Sequence, residues 1–289
     1  MIVTTPQNAR DFLLHAQPEL EKNEAANNLM LGLALQWQQF PEKLKTKPYF
    51  ATVWEEQELV IVAIMSPPQK LLLHGVRPDT RAAVALLAQD LFDNNWPVPC
   101  AFGPDDLAFQ FAEAWARLSG ASYTEGRRQR IYELRQVLPP PPCSGRLRLA
   151  VESDFDLIAQ WSFAFNLEAF GAGDESEARA AAQDKISGRM IYIWEDERPV
   201  AMAAQSRPTA NGACISYVYT PPEFRQRGYA TNAVAALSRL LLDSGRKFCV
   251  LFTDLSNPTS NSIYQKIGYL PLRDFNEYVF RSSPDPNKP

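Results

Sequence analysis

Histidine is scarce in this chain: His15 and His74 are the only two in 289 residues. The four cysteines, Cys100, Cys143, Cys214 and Cys249, are scattered and form no CxxC pair. No zinc site is expected from such a pattern, and a chain this long needs no disulfide framework. Cys214 and Cys249 fall in apolar runs, where a buried, inert thiol is expected. Positive charge is not in excess, since 29 Lys and Arg face 33 Asp and Glu for a net −4. That balance argues against generic nucleic-acid binding, although a local basic pocket can still hold a small anion. No uninterrupted apolar run approaches membrane-spanning length. The opening stretch MIVTTPQNARDFLL also lacks the basic-then-apolar pattern of a signal peptide. A cytoplasmic protein is expected, with no metal, no membrane partner and no nucleic-acid partner.

What is present is a sizeable core, with 46% hydrophobic and 21% charged residues. Pro139 to Pro142 form a run of four prolines that cannot join a helix or a central strand. We place a domain boundary there, giving residues 1–138, a proline-rich linker 139–145, and residues 146–289. The second part reads as a strand (RLRLA), two helices and three strands (MIYIWED, RPVAMAAQS, ACISYVYT). A helix with apolar residues at Ala230, Ala233, Val234, Leu237, Leu240 and Leu241 follows, ended by Gly245. KFCVLFTD reads as a buried strand, NPTSNSIYQKIG as a helix, and NEYVF as the strand closing that sheet. The first part repeats the later elements more faintly, from YFATVWEEQ to RQRIYELRQV, which suggests a duplicated α/β domain.

The stretch PPEFRQRGYATNAV concentrates arginines and a glycine where the long helix begins. Arg225, Gln226, Arg227, Gly228, Tyr229 and Ala230 form R-x-x-G-x-A between a strand and a helix. Glycine allows close backbone approach, and free amides at a helix start attract an anion. The pattern is either an anion cradle or a solvated basic turn; it is not a Walker loop or a dinucleotide fingerprint. Downstream, Asn257 and Tyr264 lie seven residues apart, sharing a helix face. Tyr264 is either a proton donor or a core aromatic beside Ile263 and Ile267, and Asn257 is either a ligand-binding amide or a helix cap.

Taken together, the strand ISYVYT, the loop RQRGYA, the strand CVLFTD and the helix NPTSNSIYQKIGY resemble the GNAT superfamily of N-acetyltransferases, in order, over residues 146–280. The resemblance implies two tandem GNAT-like domains of mixed α/β (α+β) class, each a twisted sheet flanked by helices. It implies that the amides of Arg225, Gln226, Arg227, Gly228, Tyr229 and Ala230 hold the pyrophosphate of acetyl-CoA, the acyl donor. Main-chain groups of Val218, Tyr219 and Thr220 would pair with the pantetheine arm, Asn257 would hydrogen-bond it, and Tyr264 would protonate the leaving thiolate. The implied acceptor is a primary amine of a small molecule or protein, and the implied state a monomer forming an internal pseudo-dimer.

The first part departs from the pattern at HGVRPDTRAAV, which lacks R-x-x-G-x-A. There Asp79 puts a carboxylate where phosphate would bind. Aligning Gly120 with Gly268 sets Ala116 at the position of Tyr264 and Phe109 at that of Asn257, so this part is expected to have lost the cofactor. No carboxylate stands on the central strand GACISYVYT to act as base. Glu168 and Glu223 are weak candidates, each read first as a solvated surface group. A non-catalytic acyl-CoA sensor is the alternative to an enzyme.

Overall fold

The computed structural model describes residues 1–281, the side chains of Thr259 and Ser260 excepted. The chain begins β1 (Ile2–Thr4), α1 (Ala9–Glu21), α2 (Asn28–Gln39), β2 (Tyr49–Glu55), β3 (Glu58–Met65), β4 (Leu71–Gly75), α3 (Arg81–Asp93), β5 (Cys100–Pro104), α4 (Asp105–Ser119) and β6 (Ser122–Leu134). It continues with β7 (Arg146–Leu149), α5 (Phe155–Phe170), α6 (Glu175–Ser187), β8 (Ile191–Asp196), β9 (Arg198–Ser206), β10 (Gly212–Tyr219), α7 (Tyr229–Asp243), β11 (Phe248–Asp254), α8 (Pro258–Lys266) and β12 (Leu270–Arg281). Short 3-10 turns aside, the second series repeats the first element for element. The repeat is thus more complete than the sequence reading, which left β1, α1 and α2 unassigned. Pro18 inside α1 and the broadly apolar run NLMLGLALQW in α2 mask the helical period there.

Two compact units result. Unit 1 comprises Met1–Ile131, Thr253–Ser256 and the described residues from Leu272 onward. Its strand order is β1-β2-β3-β4-β5-β12-β6, with β4 and β5 parallel. Unit 2 comprises Tyr132–Phe252 and Asn257–Pro271. There the order is β11-β10-β9-β8-β7, with the end of β6 beside β11. The strand NEYVF therefore does not close the second sheet as the sequence suggested. Phe275 to Val279 of β12 pair antiparallel with Pro104 to Cys100 of β5. Phe275 stacks on Phe102 with ring centroids 5.4 Å apart, and this apolar contact fixes the strand in unit 1. In return Tyr132 and Leu134 of β6 enter the core of unit 2.

Unit 2 carries the candidate site. On one sheet face Val234, Leu237 and Leu241 of α7, Tyr264 of α8 and Ile267 just after it pack on Ala213, Ile215, Cys249 and Leu251. Ile158 and Trp161 of α5 and Ile186 of α6 cover the other face, over Ile191, Ile193, Met202 and Tyr219. Local chemistry starts α5 and α6. Asp174 caps α6 by accepting from Glu177 N at 2.8 Å. Asp154 accepts from Val151 N at 2.8 Å and from both terminal nitrogens of Arg148 at 2.7 and 2.9 Å, anchoring the turn before α5. The linker prolines are laid against α7: Asn232 Nδ2 donates to Pro141 O at 3.1 Å, and Trp194 Nε1 to Ser144 O at 2.9 Å.

Candidate functional site

β10 and β11 are parallel neighbours that pair only at their beginnings. Gly212, Ala213 and Cys214 face Phe248, Cys249 and Val250, and beyond Cys214 no further pair is formed. On its other side β10 bulges. Ser216 faces Ala204 while Tyr219 faces Met202, so three steps on β10 match two on β9. The bulge holds Tyr217 at φ 52, a left-handed conformation that a bulky residue adopts only when its surroundings enforce it. Tyr217 is enforced by stacking on Phe165, centroids 5.0 Å apart, with Lys185 Nζ 4.2 Å from its ring centroid. Residues 215–219 thus line an open slot between the two strands.

The segment after β10 turns the chain onto α7. Phe224 N donates to Pro221 O at 2.9 Å, closing a 3-10 turn. Gln226 then takes φ 64 and Gly228 φ 82, with Arg227 between them on the ordinary side. Alternating handedness of this kind turns successive amides toward one point. Among the described residues, the amides of Gln226, Arg227, Gly228, Tyr229, Ala230 and Thr231 have no acceptor, whereas Asn232 N already donates to Gly228 O at 3.0 Å. Five of these belong to the predicted clamp; the amide of Arg225 instead donates to Pro222 O at 3.3 Å. Donors converging at a helix start fit an anion such as a pyrophosphate. Gly228 is favoured there on conformational grounds alone, because its φ is costly for a residue with a Cβ.

The arginines turn outward from that cradle. Arg225 Nη2 pairs with both oxygens of Glu168 at 2.7 and 2.8 Å, and its Nε donates to Thr220 O at 2.9 Å. Glu168, weighed above as a base, is therefore engaged in tying α5 to the loop. Glu223 is exposed, and its carbonyl accepts from Arg227 Nη2 at 3.3 Å. Tyr229 OH and Ser144 Oγ both donate to Asp196 Oδ2 at 2.6 Å, holding its carboxyl below the usual range. A groove of about 500 Å³ beside the loop is walled by Trp161, Tyr219, Arg198 and Phe224.

Tyr264 is buried in the same cluster as Ile215, Val218 and Leu251, the residues flanking the slot. Its ring meets Tyr269 at 6.1 Å, and Tyr269 OH is paired with Ser238 Oγ at 2.9 Å. Asn257 starts α8, its carbonyl accepting from Asn261 Nδ2 at 2.7 Å. The sequence reading missed Tyr132, whose hydroxyl donates to Asn261 Oδ1 at 2.9 Å and so fastens α8. Its signal was only an alternating strand at the end of the first repeat.

Unit 1 also pairs its parallel strands only at their beginnings, Leu71 and Leu72 with Ala101 and Phe102, but it lacks the bulge and the cradle. Its β3–β4 register runs without a bulge, and no residue between Val76 and Thr80 has positive φ. Arg77 of that junction is bound by Glu55. Gly103 sits close against Leu73, where an added Cβ would come within 3.1 Å of the Leu73 Cβ and carbonyl oxygen.

Residues 194–279, from β8 into β12, match the family model described as FR47-like protein. No curated protein matches the sequence. Solved structures match over nearly the whole chain. One is a GCN5-related N-acetyltransferase from Sphaerobacter thermophilus, 16% identical, with TM-score 0.62, covering 96% of this chain and 94% of that one. A Drosophila protein is 14% identical, with TM-score 0.69 and coverage of 98% and 99%. A tandem GNAT protein from the clavulanic acid biosynthesis pathway is 12% identical, with TM-score 0.61 and coverage of 98% and 100%. At such identities the likeness speaks to the fold, and with the family match over residues 194–279 it identifies the chain as two tandem domains of the GNAT fold.

Proposed function

We propose that unit 2 is an N-acetyltransferase that moves an acetyl group from acetyl-CoA to a primary amine by direct attack while both are bound. The observation that carries this is the set of acceptor-less amides from Gln226 to Thr231 at the mouth of the slot between β10 and β11. These amides hold the pyrophosphate, and Val218, Tyr219 and Thr220 pair with the pantetheine arm as an added strand would. Asn257 contributes a hydrogen bond to the same arm. Acetyl-CoA, when bound, supplies an acyl thioester. Tyr264 donates its hydroxyl proton to the sulfur as the C–S bond breaks, lowering the cost of thiolate departure. The bulged segment at Tyr217 keeps the backbone beside the slot free of a regular ladder. Unit 1 has no such cradle and supports the fold without binding the donor.

The test is CoA release by the full-length protein from acetyl-CoA across a panel of primary amines, with Gly228→Asp as control. Amine-dependent release that Gly228→Asp abolishes is the expected result. Binding of acetyl-CoA without release to any amine would leave a non-catalytic sensor as the reading.

A further inference from the structure

Transfer to an amine requires a proton acceptor on the face where the amine arrives, because an ammonium has no free lone pair. In unit 2, β7, β9, β10 and Phe248 to Phe252 of β11 carry no Asp or Glu. On β8, Glu195 is held by Arg148, and Asp196 by Ser144 and Tyr229. Among the described residues of that unit, the remaining strand carboxylate is Glu133, at the end of β6.

The placement of Glu133 is specific. Tyr132 and Leu134 point into the core under α7 and α8. By strand alternation Glu133 stands on the opposite face, shared by Cys214 and Tyr217. Leu255 N donates to Arg128 O at 2.9 Å, and Arg135 lies over the Phe248 ring at 5.6 Å, so β6 runs antiparallel to β11. Counting along that pairing sets Glu133 beside Val250, whose partner Cys214 closes the paired stretch before the slot opens. The Glu133 backbone is thus one strand spacing, about 5 Å, from that of Val250, at the last paired position before the slot. Its side chain is 18% exposed, and Oε1 lies 2.6 Å from Arg135 Nη2. That contact lacks hydrogen-bond alignment, and Oε1 is shielded from solvent. A charged oxygen in this state has accepting capacity left for a ligand or a water.

We propose that Glu133, delivered to unit 2 by the strand that ends the first repeat, is the general base of the transfer reaction. This rests on the acetyl-transfer reading above. Glu133 accepts one proton from the acceptor ammonium, directly or through one water, freeing the nitrogen lone pair. As the N–C bond forms and the C–S bond breaks, Tyr264 gives its proton to sulfur. The second proton on nitrogen restores Tyr264 through solvent, and Glu133 releases its own proton to bulk. The products are the amide and CoA thiol.

The experiment compares wild type with Glu133→Gln in the full chain, following CoA release near neutral pH. One arm uses 2-phenylethylamine, an ammonium at that pH, and the other hydroxylamine, which is already neutral. Acetyl-CoA affinity is measured by calorimetry alongside. The variant is expected to lose about 10²-fold or more with phenylethylamine and little with hydroxylamine, at unchanged acetyl-CoA affinity. Wild-type rates in both arms, or equal losses in both, overturn the assignment. So does a wild type that serves hydroxylamine alone, since it would show no base able to free an ammonium. A wild type that binds acetyl-CoA yet releases CoA to neither amine contradicts the transfer reading itself, and the base with it.

Discussion

Cys214 of β10 faces Val250 of β11, and past this pair the two parallel strands separate. β10 ends at Tyr219, and a short turn then carries the chain to the acceptor-less amides that start at Gln226. Geometry of strand and loop together, more than any single charged side chain, makes the site.

Gly228 is the position where substitution should be most selective. Its φ of 82 is strained for any other residue, and an aspartate would also set a negative charge among donors meant for phosphate. A Cβ there would meet only Asn232 Nδ2 at 3.6 Å and Cys143 Cβ at 3.8 Å, ordinary contacts, so Gly228→Asp should fold. Destabilisation of about 1–2 kcal/mol is expected from the backbone alone, with acetyl-CoA binding lost. Thermal melts and calorimetry separate the two effects.

Tyr264→Phe removes one hydroxyl and keeps the ring that packs against Ile267 and Tyr269. We expect unchanged acetyl-CoA affinity and a fall in kcat of about 10²-fold, the lower end for a positioned general acid. Steady-state kinetics under conditions where chemistry limits the rate provide the check. Wild-type kcat would leave Tyr264 as a packing residue.

Glu168→Gln breaks a pair whose side chains are 49% and 43% exposed. Such pairs are screened, so stability should change by less than about 1 kcal/mol. The rate of transfer should stay near wild type, because the carboxylate is tied to Arg225 rather than to an acceptor. A large loss in kcat at unchanged stability would restore Glu168 as the base in place of Glu133.

Much of this was legible in the sequence. The R-x-x-G-x-A loop announced itself because it needs glycine and basic residues at one helix start, and Asn257 to Tyr264 kept a readable helical spacing. The exchange of β6 and β12 was not legible. Both strands carry similar alternating patterns and close equivalent positions in the two repeats, so nothing local says which sheet receives which. Glu133 was hidden for the same reason, lying in the repeat that lacks a cradle. The bulge at Tyr217 also left no trace, since a tyrosine gives no hint of positive φ.

Asp154 offers a pH-dependent test of the anchor before α5. Its hydrogen bonds from Arg148, and secondarily from Val151 N, hold its carboxyl below the usual range. A group depressed in the folded state stabilises above its unfolded value of about 4 and loses that contribution as pH falls through the lower folded value. Asp154→Asn should therefore cost about 1–3 kcal/mol near neutral pH, with the gap to wild type closing in acid. Denaturant titrations at several pH values would reveal the trend; a gap constant with pH would contradict it.

Cys143 is half-buried, whereas the other three cysteines are buried. Its Cβ lies 3.8 Å from where a Gly228 Cβ would stand, and burial pushes its thiol up. Labelling with a bulky maleimide should be slow, should slow further with saturating acetyl-CoA, and should weaken acetyl-CoA binding once complete. Labelling indifferent to acetyl-CoA would separate the linker from the phosphate cradle.

The central claim is that one cradle, in unit 2, binds the donor. Calorimetric titration of the full-length protein with acetyl-CoA tests it most directly. One site per chain, lost in Gly228→Asp, is the predicted result. Two sites per chain, no binding, or binding unchanged in Gly228→Asp would contradict it.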